Sequence, residues 1–190
     1  MIGIRESARF NATIVVIKVS VVLFVIALGV RYISTANWGS DWSTFAPHGF
    51  SGIGAGAAYI FFAYIGFDAV STTAQEAKNP QRDLPIGIIA SLLVCTVLYI
   101  LVAGVLTGMV HWKEVNIEAP IARAFLDRGL DTASHIITVG ALAGLTSVML
   151  VMLLGQTRVL YSMANDGLLP KKFFAAVHPK YRTPWKNTIL

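Results

Sequence analysis

The sequence predicts an all-α integral membrane protein of four transmembrane helices, the second of them broken near its middle. Three observations predict it. Hydrophobic residues make up 55% of the 190-residue chain and charged residues 13%, with a mean hydropathy of +0.66. Soluble domains carry about 25% charge, so a chain this apolar belongs in lipid. Four stretches are long enough to cross about 30 Å of hydrocarbon at 1.5 Å per residue. Within the second stretch, glycines and hydroxyl residues crowd around a lone carboxylate, Asp68.

The first span is expected at about residues 10–32, "FNATIVVIKVSVVLFVIALGVRY", with a single charge, Lys18. The second is expected at about 50–74 and contains Asp68. The third is expected at 85–110, with Pro85 at its start, where a missing N–H costs nothing. The fourth is expected at 132–165, its pattern running through "QTRVLYSMAND" to a stop at Gly167. Between the last two, residues 119–131, "APIARAFLDRGLD", form an amphipathic segment expected to lie as a short helix at the outer surface.

Lys and Arg set the orientation. With four spans, Arg5, Arg9, Lys78, Arg82, Arg158, Lys171, Lys172, Lys180, Arg182 and Lys186 share one side, and Arg31, Lys113, Arg123 and Arg128 the other. That imbalance places both termini in the cytoplasm. The opening "MIGIRES" lacks the parts of a signal peptide. A net charge of +5 is modest and sits in loops, so nucleic acid is not an expected partner. Cys95 is alone, and the four histidines show no metal-ligand spacing. No nucleophile–base pair or phosphate loop stands out, so neither an enzyme nor a cofactor is expected.

Polar residues inside the spans carry the functional signal. Lys18, Asp68 and the pair Thr146–Ser147 lie on three different spans at a similar depth, about 12–15 Å from the inner interface. A charge on an isolated helix at mid-membrane costs roughly 3 kcal/mol or more, so such groups face the bundle or a wet cavity. The bland alternative has Lys18 snorkelling to headgroups and Asp68 capping a helix end. Lys18 is too deep to snorkel comfortably. The run "GIGAGAAYIFFAYIGFDAVSTTAQ" supplies the second signal. Its glycines and hydroxyls weaken a helix, and unwound backbone survives in lipid only where protein or a cavity offers partners. A break near Tyr64 to Gly66 would free carbonyls to hold a cation or an ammonium group, as broken helices do in secondary transporters. The Gly52–Gly56, Gly104–Gly108 and Gly140–Gly144 spacings are expected to report close helix packing.

"FFAYIGFDAVSTTAQEAKNPQRDLPIGII", with "GQTRVLYSMANDGLLP" and "RTPWKNT" downstream, resembles the amino acid–polyamine–organocation superfamily, and within it the bacterial cationic amino acid transporter branch. The resemblance covers essentially the whole chain. It implies a LeuT-type core of two inverted five-helix repeats, of which the four spans look like helices five to eight. The chain would then be a portion of a permease, its partners being the remaining helices, the lipid bilayer, an amino acid and a proton.

The resemblance also implies roles. Backbone carbonyls at Phe62, Ala63 and Ile65, beside Gly66, would receive the substrate ammonium, and the Phe62 ring would gate it. Asp68 would steady the helix after the break. Lys18 matches a helix-five lysine of proton-coupled members, with Thr146 or Ser147 as the hydroxyl it reaches. A lysine in dry surroundings gives up its proton more readily than one in water. The implied function is proton-coupled amino acid symport by alternating access across the cytoplasmic membrane. The alternative is a four-helix membrane scaffold or accessory subunit that transports nothing. Which amino acid is carried does not follow from these residues.

Overall fold

The computed structural model describes residues 4–66, 79–178 and 183–189. Every regular element among them is helical: α1 (Ile4–Gly29), α2 (Trp42–Phe45), α3 (Gly49–Phe61), α4 (Pro80–Met109), α5 (Pro120–Leu126), α6 (Asp131–Asn165), α7 (Lys171–Phe174) and α8 (Trp185–Ile189), with short 3-10 turns between some of them. Three helices are long and apolar enough to cross a membrane: α1 with the turn after it, α4 and α6. Their outward faces stay greasy; Ile100, Val139 and Met149 are each about two-thirds exposed or more. Apolar surface of that extent is matched by lipid and not by water.

The expected second span is described only in its first part. Helix α3 has 13 residues and rises about 20 Å, too short to cross alone. It gives way to a 3-10 turn at Phe62–Tyr64 and to a positive φ of 120° at Gly66. Asp68 and the rest of that stretch lie outside the described residues.

Helix α4 starts five residues earlier than Pro85 predicts. Pro80 occupies its first turn and Pro85 lies inside the helix. Proline at the start forfeits no bond. Pro85 forfeits one, close enough to the end for the helix to continue. At its other end, α4 is finished by loop atoms. Ser34 N–H and the Asn37 side-chain amide both donate to Gly108 O, at 2.9 and 2.6 Å, and Arg128 donates to Met109 O at 2.5 Å. These carbonyls have no partner within the helix, and the guanidinium also complements the negative helix end. Trp38, half-buried, donates its indole N–H to Thr107 Oγ1 at 3.0 Å, fastening the same loop.

Helix α6 stops at Gly167, whose φ is 86°. Leu168 N–H bonds Met163 O and Gly167 N–H bonds Ala164 O, the paired bonds of a Schellman ending.

Helices α1, α4, α5 and α6 share one core: Val25, Val105, Met109, Phe125, Ala133 and Ile137 among others. Phe125 and Ala124 of α5 are fully buried in it. The amphipathic segment therefore forms a short helix that turns its apolar face onto the bundle. At the opposite end, Asn187 of α8 is buried and donates to Phe174 O at 2.9 Å and Thr157 O at 3.3 Å, tying α8 to α7 and α6.

The glycine spacings are only partly packing contacts. A Cβ at Gly108 would press on Ile33, and one at Gly140 on Val21, but Gly54, Gly56 and Gly104 face open space among the described residues. Gly29, outside these spacings, is another tight seat, where a Cβ would collide with Val105.

Candidate functional site

Two groups of the expected residues come together, and each is built by a pair of helices.

The first joins α1 to α6. Lys18 is half-buried on α1, and its Nζ lies 3.5 Å from Ser147 Oγ on α6, long for a hydrogen bond. Ser147 is 2% exposed and donates its hydroxyl to Asn11 Oδ1 at 2.7 Å. A serine has one proton and two lone pairs. With the proton committed to Asn11, the oxygen is left to accept from the ammonium. Thr146 takes no part: it is exposed and donates to Leu142 O at 2.9 Å within its own helix. Neighbouring residues on a helix point about 100° apart, so only one of the two hydroxyls can face α1.

Gly144, one turn before Ser147 on the side facing α1, makes room for the lysine stem. A Cβ there would lie 3.2 Å from Lys18 Cδ. Beside the stem is a cavity of about 230 Å³, lined by Lys18, Val21, Val25, Val102, Ile137 and Gly140 among others. The ammonium thus has apolar walls on one side and a hydroxyl–amide pair on the other.

Asn11 was missed by sequence reasoning. The available signal was its position seven residues before Lys18, two helical turns away on the same face of a nearly uncharged helix.

The second group joins the end of α3 to α4. Phe62 N–H closes onto Ile60 O and Tyr59 O, and Ile65 N–H donates to Phe62 O at 3.3 Å. Ala63 O accepts from Tyr99 Oη of α4 at 3.2 Å. Of the carbonyls expected to receive an ammonium, Phe62 and Ala63 thus each carry at least one protein donor, and a carbonyl has two lone pairs. The Phe62 ring is 67% exposed and meets the edge of Phe61 at 6.2 Å. Ile65 is also exposed. Between the turn and α4 lies a cavity of about 270 Å³, lined by Ala63, Tyr64, Gly66, Cys95 and Tyr99 among others.

The two groups share a neighbour. A Cβ on Gly66 would sit 3.5 Å from Met152 Cε of α6. Met152 is five residues beyond Ser147, about 7.5 Å along the helix. Asp68 falls outside the described residues, so no contact is assigned to it.

Gly66 itself yields a prediction. A φ of 120° is open to glycine and strained for any L side chain. Gly66→Val is expected to cost about 1–2 kcal/mol locally and to speed amide exchange over residues 59–66. Unchanged exchange in that variant would show that the turn does not depend on this conformation.

Comparison with known proteins places these helices. The family model described as amino acid permease matches residues 1–190. The chain is 47% identical to the methylthioribose transporter of Bacillus subtilis (strain 168) over 188 residues, which is 99% of this chain and 40% of that protein. It is 46% identical to the branched-chain amino acid permease BcaP of the same organism, over 98% of this chain and 39% of that protein. It is 49% identical to the chloroplastic cationic amino acid transporter 9 of Arabidopsis thaliana, over 93% of this chain and 30% of that protein. The chain thus spans about two-fifths or less of the length of these curated relatives. A family match running over every residue, on helices with this apolar exterior, makes the chain a member of the amino acid permease family.

Proposed function

We propose that the chain forms part of a secondary transporter that moves amino acids across the cytoplasmic membrane, coupled to protons by alternating access. One observation carries the coupling: an ammonium inside a membrane span, held between apolar walls and a buried serine whose proton is committed elsewhere. A charge inside a membrane span is costly unless it is partnered, so the ammonium's place beside Ser147 ties its charge to the contact between α1 and α6. A change of charge between α1 and α6 alters how well the two helices hold together.

The substrate side rests on the end of α3. In this proposal residues 50–74 are the second of four spans and Phe62–Gly66 is its break, within a LeuT-type core completed by further helices. The substrate ammonium bonds to the carbonyls of Phe62, Ala63 and Ile65, Gly66 leaves room for it, and the exposed Phe62 ring closes over it. Both termini of the chain face the cytoplasm. The relatives' names mention methylthioribose, branched-chain and cationic amino acids at 46–49% identity over the same helices. These helices therefore fit a shared transport machinery, with cargo selected largely by other parts of the protein.

The test is uptake of a labelled amino acid panel into liposomes under an imposed proton gradient. The chain is reconstituted alone and together with the additional helices its relatives carry. Uptake driven by the proton gradient is expected in the complete assembly. A strict sodium requirement would sink the coupling, and no uptake despite correct insertion would favour the four-helix scaffold.

A further inference from the structure

Helix α4 was expected only as a span, yet its side chains make the polar contacts that hold the turn after α3. Tyr99 Oη donates to Ala63 O at 3.2 Å. One turn earlier, Thr96 Oγ1 lies 3.0 Å from Tyr64 Oη. Thr96 spends its own proton on Leu92 O at 2.7 Å. The Tyr64 hydroxyl must therefore be the donor to Thr96. The two tyrosine rings meet edge to face at 5.3 Å. The result is a ladder: one bond from α4 to the backbone of the turn, one from the turn to α4, and a ring contact between them.

Unwound backbone inside a membrane needs partners supplied from elsewhere. Here a side chain of another helix supplies one directly to a carbonyl of the turn. The Tyr99 hydroxyl takes a single lone pair of that carbonyl, and a carbonyl oxygen has two. We propose that Tyr99 and Thr96 are positioning residues: they hold the Phe62–Gly66 turn away from helical geometry and aim the Ala63 carbonyl. The proposal rests on the transporter reading for its role in substrate binding and on the geometry alone for its role in holding the turn. Because both hydroxyls belong to α4, the turn moves with α4 and is not a free hinge.

Cys95 gives a native reporter. It is the chain's one cysteine and lines the cavity roofed by Ala63, Tyr64 and Gly66. Alkylation by N-ethylmaleimide therefore reads how firmly that roof is held. The full 190-residue chain is used in lipid nanodiscs, without substrate. Tyr99→Phe, which keeps the ring, and Thr96→Val are each expected to speed alkylation about three- to ten-fold, the effect of losing one neutral hydrogen bond. Thr96→Ser restores the hydroxyl and is expected to restore the wild-type rate. Wild-type alkylation rates in both Tyr99→Phe and Thr96→Val would overturn the proposal. If Tyr99→Phe loses its helical circular dichroism, the Thr96 pair decides alone.

A second arm measures uptake in the complete assembly. A misaimed carbonyl weakens binding, so Tyr99→Phe is expected to raise KM about five-fold with little change in maximal rate. A lower maximal rate at unchanged KM would overturn the aiming role. If the wild-type assembly shows no uptake, the transporter reading fails and the alkylation arm still decides whether α4 holds the turn.

Discussion

In the complete assembly, Lys18→Ala is expected to abolish the proposed response of uptake to a proton gradient, with a loss of about ten-fold or more in gradient-driven rate, within the usual range of coupling between two sites. The ammonium faces Ser147 across the α1–α6 contact, and the serine proton is already given to Asn11. In the proposed mechanism alanine removes the charged group at this contact, so uptake should become flat with pH instead of merely slower. Lys18→Arg separates charge from proton exchange, because a guanidinium keeps its proton in a protein. It is expected to insert and fold, and to remain uncoupled. Ser147→Ala takes away the acceptor, and Asn11→Leu removes the acceptor that fixes the serine proton on the side away from the lysine. Both should shift the pH dependence, whereas Thr146→Val should not, since Thr146 bonds only within α6 among the described residues. Proton-driven uptake by Lys18→Ala equal to wild type at every pH would remove Lys18 from the mechanism.

Gly140→Leu is expected to be the most damaging packing change in the same region. A Cβ at Gly140 would lie 2.8 Å from both Val21 methyl carbons, inside any normal contact distance. Small residues let membrane helices approach closely, and here the approach is what brings Lys18 within reach of Ser147. Overpacking of this kind costs about 1–3 kcal/mol. The expected result is a lower thermal unfolding midpoint in detergent, with partial recovery in Gly140→Leu/Val21→Ala. Because the residues touch, the two changes should not add. Identical midpoints for wild type and Gly140→Leu would show that α1 and α6 do not meet at this point.

Much of the protein was legible before any coordinates. Spans are read from length and composition, both local, so α1, α4 and α6 fall where apolar residues run on. Lys18 stood out because a charge there is costly whatever surrounds it. The turn after α3 was legible because Gly66 and its neighbours favour leaving a helix, a property of the backbone itself. The Gly167 stop was legible for the same reason.

What the sequence by itself determined was the class and the place where the second stretch leaves its helix. Tertiary structure decided which groups meet. Ser147 and Thr146 are adjacent in sequence, and only the crossing of α1 on α6 turns Ser147 toward Lys18. Asn11 and Gly144 gain their meaning from the same crossing. The Tyr99 and Thr96 hydroxyls looked like ordinary residues of an apolar span until α4 was laid against Ala63 and Tyr64. Helix α5 was legible as amphipathic, but an apolar face is stabilised equally well against lipid or protein, and only the packing of the bundle shows that Phe125 is buried in protein. Local propensity is written in neighbouring residues; side-chain partnership depends on the rotation and crossing of helices, which many distant contacts set together.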